Sequence, residues 1–442
     1  MTAPYRSQSF TIGATPGHVL IIGGGIGGLC LAQGLQKAGI SCAVYEREHS
    51  VADRLQGYRV HISPTGSRAL HECLPPRLFD AFARTCGTGI GGAHFYTERM
   101  STLMTVDAGD IAHADPITCH RSASRITLRQ VLMSGVENLH FGKAFMRYET
   151  DGGRVVAHFE DGSWAEGDVL VAADGGGSRV RRQFLPEAER VDTGVVAIGA
   201  KIFLDEAREK IDRRFLDGIS LVATRGVGLF VAPQEFDGRP IDDIGANAGV
   251  PAEAGNIFDN TRSYLMWGLS GRPASLGLVR PVEEFDSAAL LDISARAMKG
   301  WAPPLRALVD LCDPTTVSAF RIRTSRRVAA WPTQRITLIG DAIHAMTPYR
   351  GIGANVALKD AMRLTHALTA AQRGESDLIE ALHEYEAGML NYSFRAVENS
   401  LKAMHQTLDR GPLGLLVSRT LFRIVDRLPP VKRLMAMRMG EE

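Results

Sequence analysis

The run Val19-Leu20-Ile21-Ile22-Gly23-Gly24-Gly25-Ile26-Gly27-Gly28-Leu29 constrains this chain more than any other segment. A short apolar strand runs straight into glycines spaced G-x-G-x-x-G, at Gly23, Gly25 and Gly28, and then into a helix. Gly23 permits a tight turn. Gly25 lacks a Cβ, so the backbone can approach a pyrophosphate, and Gly28 lets the helix pack closely on the strand. The helix N-terminus offers free N–H groups and a partial positive charge to phosphates. Gly39 is placed to cap its far end. A second strand, Cys42-Ala43-Val44-Tyr45, delivers Glu46 eighteen residues after Gly28, where a carboxylate can accept from ribose hydroxyls. Glycine makes up 46 of 442 residues, so the spacing alone is weak; the strand–helix–strand context and the acid give it force.

A chain of 442 residues exceeds one ordinary core, and two interleaved domains are expected. Hydrophobic content of 45% and charged content of 22% are those of a soluble globular protein, and a net charge of +1 gives no hint of a nucleic-acid partner. The cysteines (Cys30, Cys42, Cys73, Cys86, Cys119, Cys312) are scattered without a C-x-x-C pair. That fits a reduced cytoplasm better than a disulfide framework or a zinc site, and no metal is expected. Residues 1–17 read as a flexible polar tail without an apolar signal core, and no stretch approaches the roughly 18 apolar residues of a membrane span.

Alternation and turn signals place a strand pair at 91–107 and a hairpin excursion at 143–171. A second, sheet-bearing domain is expected over 195–330, with a polar loop or hairpin at about 234–262. Residues 120–134 carry apolar residues at helical spacing, and the chain reads as helical from Ala354 nearly to Arg410.

Two further strand ends repeat the logic of the first. One is Leu170-Val171-Ala172-Ala173-Asp174-Gly175-Gly176-Gly177; the other is Leu338-Ile339-Gly340-Asp341, continuing through Thr347-Pro348-Tyr349-Arg350-Gly351-Ile352-Gly353-Ala354-Asn355. In each an Asp sits where an apolar strand ends, the position at which open α/β sheets bind ligands. An acceptor there can hold sugar-alcohol or ribose hydroxyls, and Gly351, Gly353 and Ala354 let a helix N-terminus approach a ring or phosphate.

The three motifs in this order resemble those of the class A FAD-dependent aromatic hydroxylases, the para-hydroxybenzoate hydroxylase fold. The likeness covers about residues 18–400 in motif order. It implies an α/β Rossmann-like FAD-binding domain with a parallel sheet, over 18–90, 108–190 and 325–400. A β-sheet substrate domain, over 91–107 and 191–324, is interleaved with it, and C-terminal helices follow over 401–442. The resemblance puts the FAD pyrophosphate at Gly23, Gly25, Ile26 and Gly28, and the adenosine ribose at Glu46, with Arg47 following. Asp174 is tied to FAD and NAD(P)H, Asp341 after Gly340 to the ribityl chain, and Pro348 with Gly351, Gly353, Ala354 and Asn355 to the flavin ring. Arg125, in Arg125-Ile126-Thr127-Leu128, matches a further FAD contact. The 347–353 segment looks most like the branch of tetracycline-inactivating monooxygenases. Arg54 matches that branch's NADPH-linked arginine, whereas its FAD-linked Asp is His61 here, a departure.

The implied activity is insertion of one oxygen atom from O2, through a flavin C4a-hydroperoxide, into an electron-rich phenolic or polycyclic molecule of secondary metabolism, with NAD(P)H as transient reductant. A polyketide-like aromatic substrate fits that implication. The candidate catalytic side chains are Pro348, His61, His94 and Tyr96, the last two because they share one face of a strand. His344 is read as a structural hydrogen-bonding residue. An FAD-dependent reductase or dehydrogenase on the same fold is the alternative. A flavin halogenase would carry W-x-W-x-I-P, but Trp164, Trp267, Trp301 and Trp331 stand apart; a disulfide reductase would need a C-x4-C pair, and a binding protein would not need all three motifs. Residues 410–439 form a basic amphipathic helix, with Arg419, Arg423 and Arg427 at i, i+4 spacing. One reading is a membrane-surface or partner contact. The preferred one is a helix packed on the FAD domain with its arginines in solvent, because no second anchor is visible.

Overall fold

The computed structural model describes residues 17–49, 59–87, 91–107, 115–236 and 262–432. Most of the expected N-terminal tail, Arg54 and nearly all of the 234–262 loop lie outside these residues.

The glycine loop does what its spacing predicts. Strand β1 (His18–Ile22) passes through it into helix α1 (Ile26–Lys37) and on to β2 (Ser41–Tyr45). Next come β3 (Arg59–Ile62) and helices α2 (Pro64–Cys73) and α3 (Pro76–Thr85). Ser63 caps α2 by accepting from Gly66 N, with Pro64 in the first turn, where its missing N–H is harmless. The hairpin β4 (Gly92–Tyr96) and β5 (Thr102–Val106) is followed by β6 (Arg121–Ser124), α4 (Arg125–Met133) and β7 (Leu139–His140). The helix expected over 120–134 therefore begins only at Arg125. The preceding residues pair antiparallel with β3, and the Ser124 hydroxyl caps α4 by accepting from Thr127 N.

A meander of β8 (Phe145–Asp151), β9 (Arg154–Phe159) and β10 (Trp164–Gly167) returns the chain to β11 (Val169–Ala172) and helix α5 (Arg179–Phe184). Then come β12 (Arg190–Phe203), β13 (Gly218–Ala223), β14 (Val227–Gln234) and β15 (Tyr264–Gly271). Helices α6 (Ser287–Ala297) and α7 (Pro303–Asp310) precede β16 (Ser318–Ser325) and β17 (Ile336–Leu338). The short α8 (Asp341–His344), then α9 (Gly353–Gln372), α10 (Leu378–Leu408) and α11 (Pro412–Asp426) complete the described chain.

Two sheets organise these elements. The first is five-stranded and parallel, in the order β17-β11-β1-β2-β7. Its central strands are continuous aliphatic runs because both faces are covered. The second has seven strands in the order β16-β12-β15-β14-β13-β4-β5, antiparallel except where β13 meets β4. Side chains on β15 alternate. Leu265, Trp267 and Leu269 enter a core closed by α6 and α7, whereas Tyr264, Met266, Gly268 and Ser270 share the opposite face. Ser270 meets Tyr349 of the 347–353 segment there, Oγ to hydroxyl at 2.7 Å, so this second face looks toward the parallel-sheet half.

Helix α11 corrects an expectation. It lies on β4 and β5 of the seven-stranded sheet, not on the parallel-sheet half. Phe422 packs against Phe95 with ring centroids 4.9 Å apart, and Asp426 accepts from Thr105 N at 3.0 Å. β5 is an edge strand, so it presents an unpaired N–H and an apolar strip of Ala93, Met104 and Val106 that a helix can cover. Arg419 is half-buried and pairs with Glu98, whereas Arg423 and Arg427 are exposed, as expected. The outward face of α11 leaves Leu413, Leu416, Val417, Leu421 and Ile424 exposed.

The third glycine of the loop is the tightest contact in the strand–helix unit. A Cβ on Gly28 would lie 2.2 Å from the Gly23 carbonyl oxygen and 3.0 Å from Ala173 Cβ. Gly28→Ala should therefore lower stability by roughly 1–3 kcal/mol through forced separation of α1 from β1, read as an earlier midpoint in urea unfolding.

Candidate active site

The first strand end is held open for a ligand. Gly23 takes φ +113°, and a Cβ there would meet the Ala173 carbonyl at 2.4 Å. A Cβ on Gly25 would meet nothing within 4 Å, and Gly25 begins α1 with no side-chain cap and no acid in the first turn. The N–H groups at this end are left for an anion. Glu46, largely buried, is fixed beside them: its Oε2 accepts from Gly24 N at 2.7 Å and its Oε1 from Glu48 N at 3.0 Å. Arg129 locks this corner, with Nε donating to the Gly24 carbonyl at 2.8 Å and Nη2 lying 3.1 Å from Glu48. Sequence reasoning missed Arg129; its only signal was a position one turn after Arg125 on α4. Arg47 is exposed just beyond Glu46, and Arg125 is exposed at the start of α4.

The third strand end is built on a buried acid. Asp360, wholly buried on α9, accepts from Gly340 N at 2.7 Å, from the Tyr392 hydroxyl at 2.6 Å, and sits 2.6 Å from His344 Nε2. Burial alone would lower the affinity of His344 for its proton, but the Asp360 carboxylate more than offsets this and the imidazole holds its proton above the usual range. His344 is thus structural, as its sequence reading has it. Gly340 is held at φ +59°, and the next residue, Asp341, turns outward and is exposed. Pro348 and Gly351 are exposed on the same loop, while Ala342, Ile343, His344 and Ile352 are buried. Asn355 is fully buried and serves the backbone of β3, accepting from Ser63 N at 2.8 Å and donating to the His61 carbonyl at 2.9 Å. Gly353 and Ala354 form the first turn of α9 above it.

The second strand end joins the other two. Asp174 accepts from Arg179 N at 2.8 Å through Oδ2. Its Oδ1 is buried without a partner, and burial raises the carboxyl above its ordinary value. Arg181, buried, donates to the Ala342 carbonyl at 2.6 Å and to the Gly176 carbonyl at 3.2 Å, clamping the second loop to the third. Asp360 and Arg181, neither predicted from sequence, are the residues that assemble the site.

The catalytic candidates separate in the structure. His94 and Tyr96 do stack, with centroids 6.1 Å apart, but on the face turned to α6 and α7. Tyr96 belongs to that core, and His94 Nε2 lies 3.2 Å from the Asp217 carbonyl. The substrate-cavity reading of these two is corrected: strand periodicity told that they share a face, not which one. His61 is on β3, its Nε2 3.0 Å from His120 Nδ1. Burial, with Arg59 and His120 beside it, pushes its pKa down to about 3, so at neutral pH it is an uncharged hydrogen-bonding group and a poor general base.

The open α1 terminus, the outward Asp341 and the exposed 348–351 turn fit a flavin dinucleotide with a pyrophosphate, a polyol and a ring. A family model described as an FAD binding domain matches residues 307–400, and one described as an NAD(P)-binding Rossmann-like domain matches 21–85. The chain is 33% identical to a protein from Photorhabdus luminescens subsp. laumondii assigned as an FAD containing monooxygenase. The two structures share a TM-score of 0.76 over 88% of this chain and 98% of that one. It is 32% identical to the dual O-methyltransferase/FAD-dependent monooxygenase elcB of Phaeosphaeria nodorum, over 82% of this chain but 42% of that protein. The chain thus spans less than half the length of that curated relative. Klebsiella pneumoniae HpxO, in complex with FAD and uric acid, shares the fold at 23% identity, with a TM-score of 0.75 over 96% of this chain and 97% of that one.

Asp360→Ala should cost about 3–5 kcal/mol, because it strands a buried Gly340 N–H, a Tyr392 hydroxyl and the His344 ring N–H together; thermal unfolding measures it. His61 gives a pH signature. Unfolded, it takes a proton near 6.5; folded, only near 3. Between those values the unfolded chain holds more protons, so this residue's contribution to stability falls as pH drops through that window. His61→Leu should flatten that limb of a stability-against-pH curve measured by urea midpoints.

Proposed function

The chain belongs to the FAD-dependent monooxygenases, and from that membership we propose that it uses NADPH or NADH and O2 to insert one oxygen atom into an electron-rich phenolic or polycyclic small molecule of secondary metabolism. One observation carries the reading: the three strand ends lie side by side at one rim of the parallel sheet. β17, β11 and β1 are neighbours in one parallel sheet, and Arg181 ties the loops that leave two of them.

Gly25 and Ile26 at the α1 terminus would hold the FAD pyrophosphate, Glu46 the adenosine ribose, Asp341 the ribityl chain, and the 348–354 loop the flavin ring. Bound there, FAD supplies acceptance of electrons from a nicotinamide and activation of O2. The protein's own part is positioning and exclusion of water. Asp360 holds the Asp341 turn rigid, and Tyr349, hydrogen-bonded to Ser270, closes the cleft against the seven-stranded sheet. Neutral His61 on the facing strand can hydrogen-bond a substrate hydroxyl without adding charge. Six free cysteines support a reducing compartment such as the cytoplasm.

Purified protein should be yellow with FAD. Asp341→Ala should weaken FAD by roughly 10–100-fold, the loss of a charge-assisted hydrogen bond to a polyol, in a flavin-fluorescence titration. A panel of phenols and polyketides should include one that stimulates NADPH consumption and yields a product heavier by one oxygen atom. A chain that cannot take up FAD, or that consumes NADPH without ever oxygenating a product, sinks the proposal and favours a reductase.

A further inference from the structure

Helix α11 is held by one face only. Phe422 and Val425 pack on the apolar strip of β4 and β5, and Asp426 accepts from Thr105 N. Arg419 pairs with Glu98 and donates to the Ala223 carbonyl at 3.4 Å. These anchors recur at the spacing of a helix turn and fix which side of α11 meets the sheet. No residue of the helix is fully buried.

The opposite side is apolar and open. Leu413, Val417, Leu421 and Ile424 follow one another at i, i+4, i+8 and i+11, with Leu416 beside them, and all are exposed. Leu428 and Val431, just beyond the helix, are exposed as well. Of the twelve exposed large apolar side chains among the described residues, seven lie between Leu413 and Val431. The other five stand singly on separate elements, which is ordinary for a protein surface, whereas a contiguous stripe marks a contact. The 15 residues of α11 give this stripe a length of about 22 Å.

The charges along the stripe have one sign. Arg423 and Arg427, one turn apart, are exposed on its flank. The only carboxylate from Gly411 to Val431 is Asp426, and it is turned to Thr105 N and Lys432. Near the Arg419 anchor, Arg99 and Arg225 are exposed and have no carboxylate partner among the described residues. Asp107, the acid beside the far end, lies 3.9 Å from Lys432. A second copy laid on this stripe would desolvate Arg423 and Arg427 against a face that offers them no acid. The stripe is also a convex ridge of Leu, Val and Ile, whereas protein interfaces favour aromatic anchors in shaped pockets. An aliphatic ridge edged by arginines is complementary to acyl chains under anionic headgroups.

We infer that α11 is an interfacial anchor that lays Leu413, Val417, Leu421 and Ile424 into the surface of an anionic lipid bilayer, with Arg423 and Arg427 against the lipid phosphates. The helix lies on the membrane and does not span it, since no described helix is long and apolar enough to cross one. One short helix with two flanking cations gives reversible attachment that salt weakens. The anchor sits on the β4–β5 edge and acts independently of the chemistry proposed for the cleft.

Co-sedimentation of the FAD-loaded full chain with lipid vesicles tests this, using phosphatidylcholine alone or mixed equally with phosphatidylglycerol. The mixed vesicles should bind the chain about tenfold or more tightly than the neutral ones, and added salt should release it. Arg423→Gln and Arg427→Gln should each weaken binding to mixed vesicles by about fivefold. Leu421→Ser should weaken it by about tenfold or more. Its melting temperature and flavin absorbance without vesicles should match the parent's, because that side chain already stands in water. Binding that is absent, or equal for the two vesicle types, overturns the anchor. So does binding to mixed vesicles that none of the three substitutions weakens, which places the contact elsewhere. Earlier melting of Leu421→Ser would show the stripe packed within the chain itself, against the proposal. A parent that sediments as a dimer, and that Leu421→Ser converts to a monomer, assigns the stripe to a second copy instead.

Discussion

A single buried carboxylate sets the geometry on which the cleft depends. Asp360 has no exposure to water, and an isolated charge in that position would not persist. It persists because three donors converge on it: the Gly340 amide, the Tyr392 hydroxyl and the His344 ring. Each contact joins a different piece of the molecule, namely the end of β17, the long helix α10 and the short helix α8. With Gly340 held at positive φ, the chain has one way to leave β17, and that way turns Asp341 outward. The exposed acid that can face a ligand is thus a consequence of the buried acid that cannot.

Adjacency in the parallel sheet explains why three distant segments meet. The strand order β17-β11-β1 puts the ends of three strands side by side, although their sequence positions are separated by more than a hundred residues. Each loop therefore opens on the same rim, where ligands bind in such sheets. Adjacency alone leaves the loops free to splay. Arg181 removes that freedom by donating to carbonyls of two loops at once, and Arg129 does the equivalent for the first loop and the acid that follows β2.

What the sequence made legible divides along this line. Apolar runs, glycine spacing and terminal acids are local, so the three strand ends, the strand pair at 91–107 and most of the final helices could be read directly. His344 was legible as structural because it sits inside a motif. Asp360 and Arg181 were not, since each acts through partners far along the chain and neither type is unusual on a helix. His94 and Tyr96 show a subtler limit. A period of two tells which residues share a face, but the choice between cleft and core is made by α6 and α7, which come about two hundred residues later. The helix α11 was legible as amphipathic, yet its partner was not, because an edge strand's unpaired Thr105 N–H is a property of the assembled sheet.

The two faces of the seven-stranded sheet obey opposite rules, and the contrast argues for function. The face toward α6 and α7 is closed and apolar, with Trp267, Leu265 and Leu269 fully buried among other aliphatics. Such packing is what stability alone favours. The face toward the cleft keeps Lys201, an unpartnered Tyr264 hydroxyl and a glycine beside empty space, opposite Arg59 with no counter-ion among the described residues. Tyr264, whose buried hydroxyl has no partner, is the clearest departure there from what stability alone favours. Departures from close apolar packing that cluster on two elements from different sheets are what a functional or strained surface shows.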